Sequence, residues 1–309
     1  MLETDQGSTS VSSPTQMSGC WGFHSRRSVP IRVASKVVRL HVPSWRRASR
    51  QALQILHVAP RLLPRLLGEA STPPTDFICV YRARNVKVVL RMLGDLPPDC
   101  RVALWALDDQ VPVLARHTIG AGPGLRIVLL NRLAASLAAE DRWLIVGDDD
   151  VRMPRGQLNL WLRTAMYAQL DLSQPTHLAR SNASWQVNRQ RLVDYVRIGR
   201  WVEAGPLLAF SPIAREIFLP MPEELGMGWG VEAIWASGVD RGMRFGIVDA
   251  VGMRHLGQVA SQYARSEQEA MSLRVLGQLG YASFSELHDE RGRWWLWQRT
   301  PPWRDGVVS

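Results

Sequence analysis

The sequence predicts an α/β fold, a mostly parallel central sheet flanked by helices and preceded by a basic N-terminal extension. Two observations carry the prediction. From residue 76 onward, short apolar runs alternate with stretches of helical periodicity, the rhythm of right-handed strand–helix–strand units and a parallel sheet. The clearest run, residues 143–146, is apolar throughout and closed by Gly147, as expected of a strand buried on both faces. The length, 309 residues with 46% hydrophobic and 21% charged, allows one large domain or two small ones around a sizeable core.

The net charge of +9 is unevenly placed. Residues 6–68 hold ten basic residues and no Asp or Glu, so the remainder is close to neutral. The charge therefore belongs to an extension (residues 1–72) and gives no ground for a nucleic-acid-binding body. Residues 73–309 read as the folded domain, with an aromatic C-terminal tail. Cys20, Cys79 and Cys100 are odd in number and far apart, without a CxxC pair. That speaks against a zinc site or disulfide framework and for a reducing, cytoplasmic setting. No apolar run is long enough to span a bilayer, and no signal-peptide core follows Met1.

Residues 1–43 are Ser-, Arg- and Gly-rich without periodicity and read as disordered. An acid-poor start of this kind also resembles an organelle transit peptide, and a start codon assigned too early would look the same. Residues 44–59 read as an amphipathic helix capped by Ser44 and ended by Pro60, and the basic-apolar mix continues to Leu67. Two readings stand for 44–67: a peripheral membrane contact, or a helix or arm lying on the body. Pro73-Pro74 marks a boundary.

In order, 76–81 reads as the first strand, 85–93 as a helix and 100–107 as the second strand, ending in Asp108-Asp109. Residues 126–130 fit a short strand or a helix start, and 131–139 a helix. The 143–146 strand follows, then a helix at 157–170 with Leu158, Trp161, Leu162, Ala165 and Met166 on one face. Residues 201–210 read as a strand meeting a turn. Ser211-Pro212 opens a helix with Ser as cap and Pro at the first position. A Gly-rich loop at 226–232 leads into a helix through Ala236. Residues 245–249 read as the last strand and 261–279 as helix, and Trp294, Trp295, Trp297 and Trp303 as packed on the body.

Asp148, Asp149 and Asp150 follow their strand without a break. Like charges this close repel, more so when buried. They are tolerated standing in water, capping the next turn, or holding a cation. Mg²⁺ or Mn²⁺ prefers oxygen ligands and commonly takes one or two carboxylates plus substrate phosphates. In open α/β sheets, ligands bind beyond the carboxyl ends of the strands. Other chemistry-bearing residues fall at such ends or in loops. Arg82 and Arg84 could contact a diphosphate, and Asp108 or Asp109 a ribose or base. In Gly228-Trp229-Gly230 the glycines let the backbone approach a sugar and Trp229 offers it a flat face. Glu232 or its rival Glu203 could take a proton from an attacking hydroxyl, and His255 could ligate a metal. Each has a plainer reading: turn, core packing, solvated charge, or, for Glu232, a first-turn helix acid.

In chain order the sequence holds Leu144-Ile145-Val146-Gly147-Asp148-Asp149-Asp150, Leu172-Ser173-Gln174-Pro175, Trp201-Val202-Glu203, Ser211-Pro212, Gly228-Trp229-Gly230-Val231-Glu232, and Val248-Asp249 through His255. This series resembles the DUF707 family, a GT-A-like (Rossmann-like) group of glycosyltransferases, over residues 76–260. The Gly-Trp-Gly loop is also similar to that of β-1,4-galactosyltransferases, although Val231 and a single Glu follow it here. The resemblance implies a metal-dependent, inverting transfer of sugar from a UDP- or GDP-linked donor to a glycan, lipid or small-molecule acceptor. It implies Asp148 and Asp150 at the metal and nucleotide, His255 as a late metal ligand, Mn²⁺ or Mg²⁺ as cofactor, and Glu232 as base. The competing readings are a non-catalytic nucleotide- or sugar-binding protein and a metal-dependent phosphohydrolase. The latter lacks an H-x-H or D-x-D-x-[TV] signature.

Overall fold

The computed structural model describes residues 59–68, 71–137, 141–257 and 265–304. The amphipathic helix expected at 44–59 lies outside these residues except for Ala59. The strands are β1 (Thr75–Tyr81), β2 (Arg101–Ala106), β3 (Thr118–Ala121), β4 (Trp143–Asp148), β5 (Val151–Arg152), β6 (Leu172–His177), β7 (Asp194–Gly199), β8 (Leu207–Phe210), β9 (Phe245–His255) and β10 (Glu290–Trp295). The helices are α1 (Ala59–Leu67), α2 (Val86–Leu93), α3 (Arg126–Ser136), α4 (Gln157–Tyr167), α5 (Pro212–Phe218), α6 (Val231–Asp240) and α7 (Arg265–Gln278).

The sheet runs β10-β7-β9-β6-β8-β4-β1-β2-β3, with β5 paired to β9. β4, β1, β2 and β3 are parallel, β8 opposes both β4 and β6, β6 and β9 are parallel, and β7 opposes both β9 and β10. All strands on this path except β7 and β8 therefore point the same way, and the sheet is mostly parallel. Side chains alternate across it with period two. On β1 and β4, Phe77, Cys79, Tyr81 and Ile145 enter one core with Leu158 and Trp161 of α4. Ile78, Leu144 and Val146 enter the other, with residues of α3, α5 and α6. Burial on both faces is why β4 reads as an unbroken apolar run.

The structure bears on several expectations. Pro60 lies inside the described helix α1, which runs on to Leu67; whether it ends a helix over 44–59 lies outside the described residues. Leu63 and Leu67, one turn apart, bury this helix against the body. Residues 172–177, which hold the Leu172-Ser173-Gln174-Pro175 segment, form strand β6. Pro175 is accommodated because β8 pairs only with Leu172 and Ser173, and the β9 pairing shifts register after Pro175. β9 runs on to His255, and β10 follows it, so the strand begun at Phe245 is not the last. Trp294 and Trp303 are buried, but Trp297 is 70% exposed. Among the described residues no helix is long and apolar enough to cross a membrane.

At the end of the sheet where β1 begins, one carboxylate gathers three guanidinium groups. Asp76 is fully buried. Its Oδ1 accepts from Arg101 Nε (2.8 Å) and Arg142 Nε (2.9 Å), and its Oδ2 from Arg101 Nη2 (2.8 Å) and Arg215 Nη1 (2.7 Å). Burial would raise the carboxyl, but Arg101, Arg215 and Arg142 outweigh it and hold it below its ordinary value. Removing one partner of a buried charge cluster costs about 3–5 kcal/mol, so Asp76→Asn should lower the urea midpoint accordingly. Because the folded value is depressed, this stabilisation is complete above the unfolded value of about 3.9 and is lost as pH falls through the folded one. Circular dichroism should show stability falling below about pH 4, and Asp76→Asn should remove that part of the fall. An unchanged acid limb would contradict the arrangement.

Candidate functional site

The opposite edge of the sheet opens into a cleft of about 1420 Å³. Its lining includes the ends of β1, β2, β4 and β9, and the loop entering β8. Most residues singled out for a site role line it: Arg82, Asp108, Asp148, Asp150, Trp229, Gly230, Glu232 and His255, with Arg84 and Glu203. Asp109 does not. Asp108 Oδ1 accepts from Ala83 N (2.8 Å), fixing the chain after β1.

The three consecutive acids part company. Asp149 is only 4% exposed; its Oδ2 accepts from Arg82 N (2.7 Å), and burial raises its carboxyl despite that bond. It ties the ends of β1 and β4 together. Asp148 Oδ1 accepts two bonds from Arg126, at the start of α3: Nε at 3.0 Å and Nη2 at 2.8 Å. Nη1 of the same guanidinium donates to Ala204 O (2.9 Å). Asp150 turns instead to His255, with Oδ1 3.2 Å from Nε2.

Asp148 therefore does not join Asp150 and His255, because Arg126 already supplies its cation. Among the described residues no three His, Cys, Asp or Glu side chains converge on one point. The pair that remains still suits Mn²⁺ or Mg²⁺. Asp150 Oδ1 is buried with His255 Nε2 at 3.2 Å as its partner, and a cation could take up both groups. A carboxylate and an imidazole leave the other positions to phosphate oxygens and water.

Two further carboxylates stand on the wall formed by the β8 entry loop and α6. Gly228 and Gly230 have φ of 99° and 95°, a left-handed backbone that glycine adopts without strain. That turn brings Gly230 N to Glu232 Oε2 (3.0 Å), while Ala204 N donates to Oε1 (3.1 Å). Burial nevertheless drives the Glu232 carboxyl up to about 7, with Glu203 adding to the rise. Glu203 Oε2 accepts from Asn188 Nδ2 (2.5 Å) and lies 3.5 Å from His177 Nε2. The buried His177 in turn meets Ser181 Oγ at 2.8 Å. Asp249, in the last of the resembling segments, is buried in a pair with Arg197 (2.5 Å) and lies outside the cleft.

Arg126, Asn188 and His177 were not anticipated. Arg126 opens a helix after Gly122-Pro123-Gly124, a loop-to-helix signal that would have placed it near strand ends. Asn188 and His177 carry no local signal, since long-range pairing brings them to Glu203.

The chain matches no protein-family model and no curated protein. Among solved structures it is similar to GalNAc-T7 with UDP, GalNAc and Mn²⁺, at 12% identity and a TM-score of 0.47, covering 74% of this chain and 56% of that one. It is also similar to S. aureus TarS 1–349 with UDP (10% identity, TM-score 0.45) and with UDP-GlcNAc (10%, 0.47), covering 67% of this chain and 65% of those. It thus spans less than two thirds of each.

Burial alone lowers the His255 imidazole, but its hydrogen bond with Asp150 and that carboxylate's charge raise it above the ordinary value. In metal-free protein, NMR should find His255 titrating above about 6.5, and Asp150→Asn should bring it below. A value unmoved by Asp150→Asn would break the pair apart.

Proposed function

We propose that this chain is a GT-A-type glycosyltransferase of the DUF707-like group. It moves a sugar from a UDP- or GDP-linked donor to an acceptor hydroxyl with inversion. The observation that supports it best is the division of labour in one cleft. Arg82, Arg84 and Arg126 stand with Asp148 and the Asp150–His255 pair at the ends of β1, β4 and β9, and Glu232 and Glu203 face them from the β8–α6 wall.

The guanidinium groups suit a diphosphate, whose oxygens they bind and whose departing charge they offset. Asp150 and His255 would hold Mn²⁺ or Mg²⁺, which when bound supplies Lewis-acid neutralisation of the leaving nucleotide. Glu232, raised to about 7, is matched to accept the acceptor hydroxyl's proton as that oxygen attacks the anomeric carbon opposite the diphosphate. A second reading, a nucleotide- or sugar-binding protein, draws on the two backbone bonds to Glu232, which also fit a structural carboxylate.

The first test is thermal shift with UDP, GDP, ADP and CMP, each with and without Mn²⁺, on wild type and Asp150→Ala. A ligand at about 100 times its Kd adds about 2.7 kcal/mol to stability. One nucleotide class should stabilise the wild type in a Mn²⁺-dependent way that Asp150→Ala abolishes; no shift with any nucleotide would sink the proposal. A base must be deprotonated, so sugar transfer should rise with pH through about 7 and level off above it. Glu232→Gln should abolish transfer while sparing the nucleotide-induced shift. Full turnover in Glu232→Gln would remove Glu232 from the chemistry.

A further inference from the structure

Beyond Glu203 the cleft ends in an aromatic wall that the donor chemistry does not use. Trp185 (in the β6–β7 connection) and Phe284 (in the turn after α7) both line the cleft, half-buried, with ring centroids 5.4 Å apart. Trp201, only 3% exposed, backs them at 5.6 Å and 5.9 Å. His288 closes the set at 5.1 Å from Trp185 and 4.5 Å from Trp201. The wall is also fastened to a carboxylate: Trp201 Nε1 donates to Asn188 Oδ1 (2.9 Å), and Asn188 Nδ2 donates to Glu203 Oε2 (2.5 Å). An apolar wall of tilted rings, 45° apart for Trp185 and Phe284, therefore stands near an acceptor oxygen to which its backing Trp201 is tied.

Its place in the sheet separates it from the phosphate-suited end. Arg82 and Asp108 follow β1 and β2, on one side of the β4 acids. The aromatic cluster packs with Ile247 of β9, on the other side. Arg82, Arg84 and Arg126 are the Lys or Arg residues of the lining among the described residues, whereas the charged group tied to the aromatic wall is Glu203. An anionic ligand is disfavoured there. A lipid chain would find its apolar wall interrupted by the Glu203 carboxylate. A neutral ring with an apolar face and an equatorial fringe of hydroxyls matches both features, the face lying on the rings and the hydroxyls donating to Glu203.

We propose that the Trp185–Phe284 wall beside Glu203 is the acceptor subsite and that the acceptor is a carbohydrate presenting a pyranose face. This rests on the transferase reading above, but its test stands apart from it. Saturation-transfer NMR on the full chain would use methyl hexosides, methyl N-acetylhexosaminides, lactose and chitobiose as probes, with dodecylphosphocholine below its micelle concentration and uridine as contrasts. At least one saccharide should receive saturation at its ring C–H protons, lose most of it in Trp185→Ala, and keep it in Trp185→Phe. Thermal melts of each variant control for folding, and Phe284→Ala provides a second route should Trp185→Ala not fold.

Saccharide signals unaffected by either Ala variant, or no saccharide signal, would overturn the proposal. So would a Trp185-dependent signal from dodecylphosphocholine alone, or loss of the nucleotide-induced thermal shift in Trp185→Ala, which would make the wall a nucleobase platform. Saccharide binding at the wall without any nucleotide shift would instead retain the subsite and reject the transferase reading.

Discussion

The structure depends first on a single carboxylate. Asp76, with no exposure to solvent, is tolerable only because four guanidinium N–H bonds fill its acceptor positions. Those bonds come from Arg101 at the start of β2, Arg142 just before β4, and Arg215 on α5. They therefore align the starts of β1, β2 and β4 and pin one helix beneath them. Arg142 and Arg215 also donate to the Thr75 and Leu137 carbonyls, which extends the lock to the backbone. With one edge of the sheet held this firmly, the opposite edge can carry charges that are not all neutralised. Asp148, Asp150, Glu203 and Glu232 stand there in one cleft at a density that would otherwise push the strand ends apart.

The electrostatics of that edge show how neighbouring carboxylates acquire different characters. Asp149 points inward and serves the chain itself through Arg82 N. Asp148 is answered by a guanidinium and Asp150 by an imidazole. Glu232 is buried with only backbone amides on its oxygens, so its charged form is disfavoured and its carboxyl rises to about 7. Different surroundings thus set Glu232, raised by burial, apart from Asp150, which His255 holds below its ordinary value despite burial.

Much of this was legible in the sequence where the signal is local. The unbroken run at β4, the Ser211-Pro212 cap and the glycine turn before Glu232 are encoded by adjacent residues, and all three appear where expected; Ser211 Oγ accepts from Ala214 N at 3.3 Å. The gathering of the acids, His255 and Glu232 into one cleft was readable because strands that point alike bring their ends to one edge. What was not legible depends on distant partners. β6 has no clear strand signal because Pro175 argues against a strand unless its neighbours leave that position unpaired. β10, an edge strand of charged and aromatic residues, and β7 beside it are paired in a way the local pattern does not announce. The pairing of Asp148 with Arg126 is not legible because Arg126, 22 residues earlier, cannot be seen from the acid cluster itself. Trp297, grouped with its buried neighbours, is instead stacked on Trp295 at 4.9 Å with its far side open.

The Arg126 guanidinium has a consequence of its own. One side chain holds Asp148 at the end of β4 and the Ala204 carbonyl in the loop that carries Glu203. The amide of the same Ala204 orients Glu232. An anion drawn to Arg126 therefore competes with the anchor of the loop across the cleft. The two walls of the cleft thus share one joint, and any coupling that an anion exerted through it would be reciprocal.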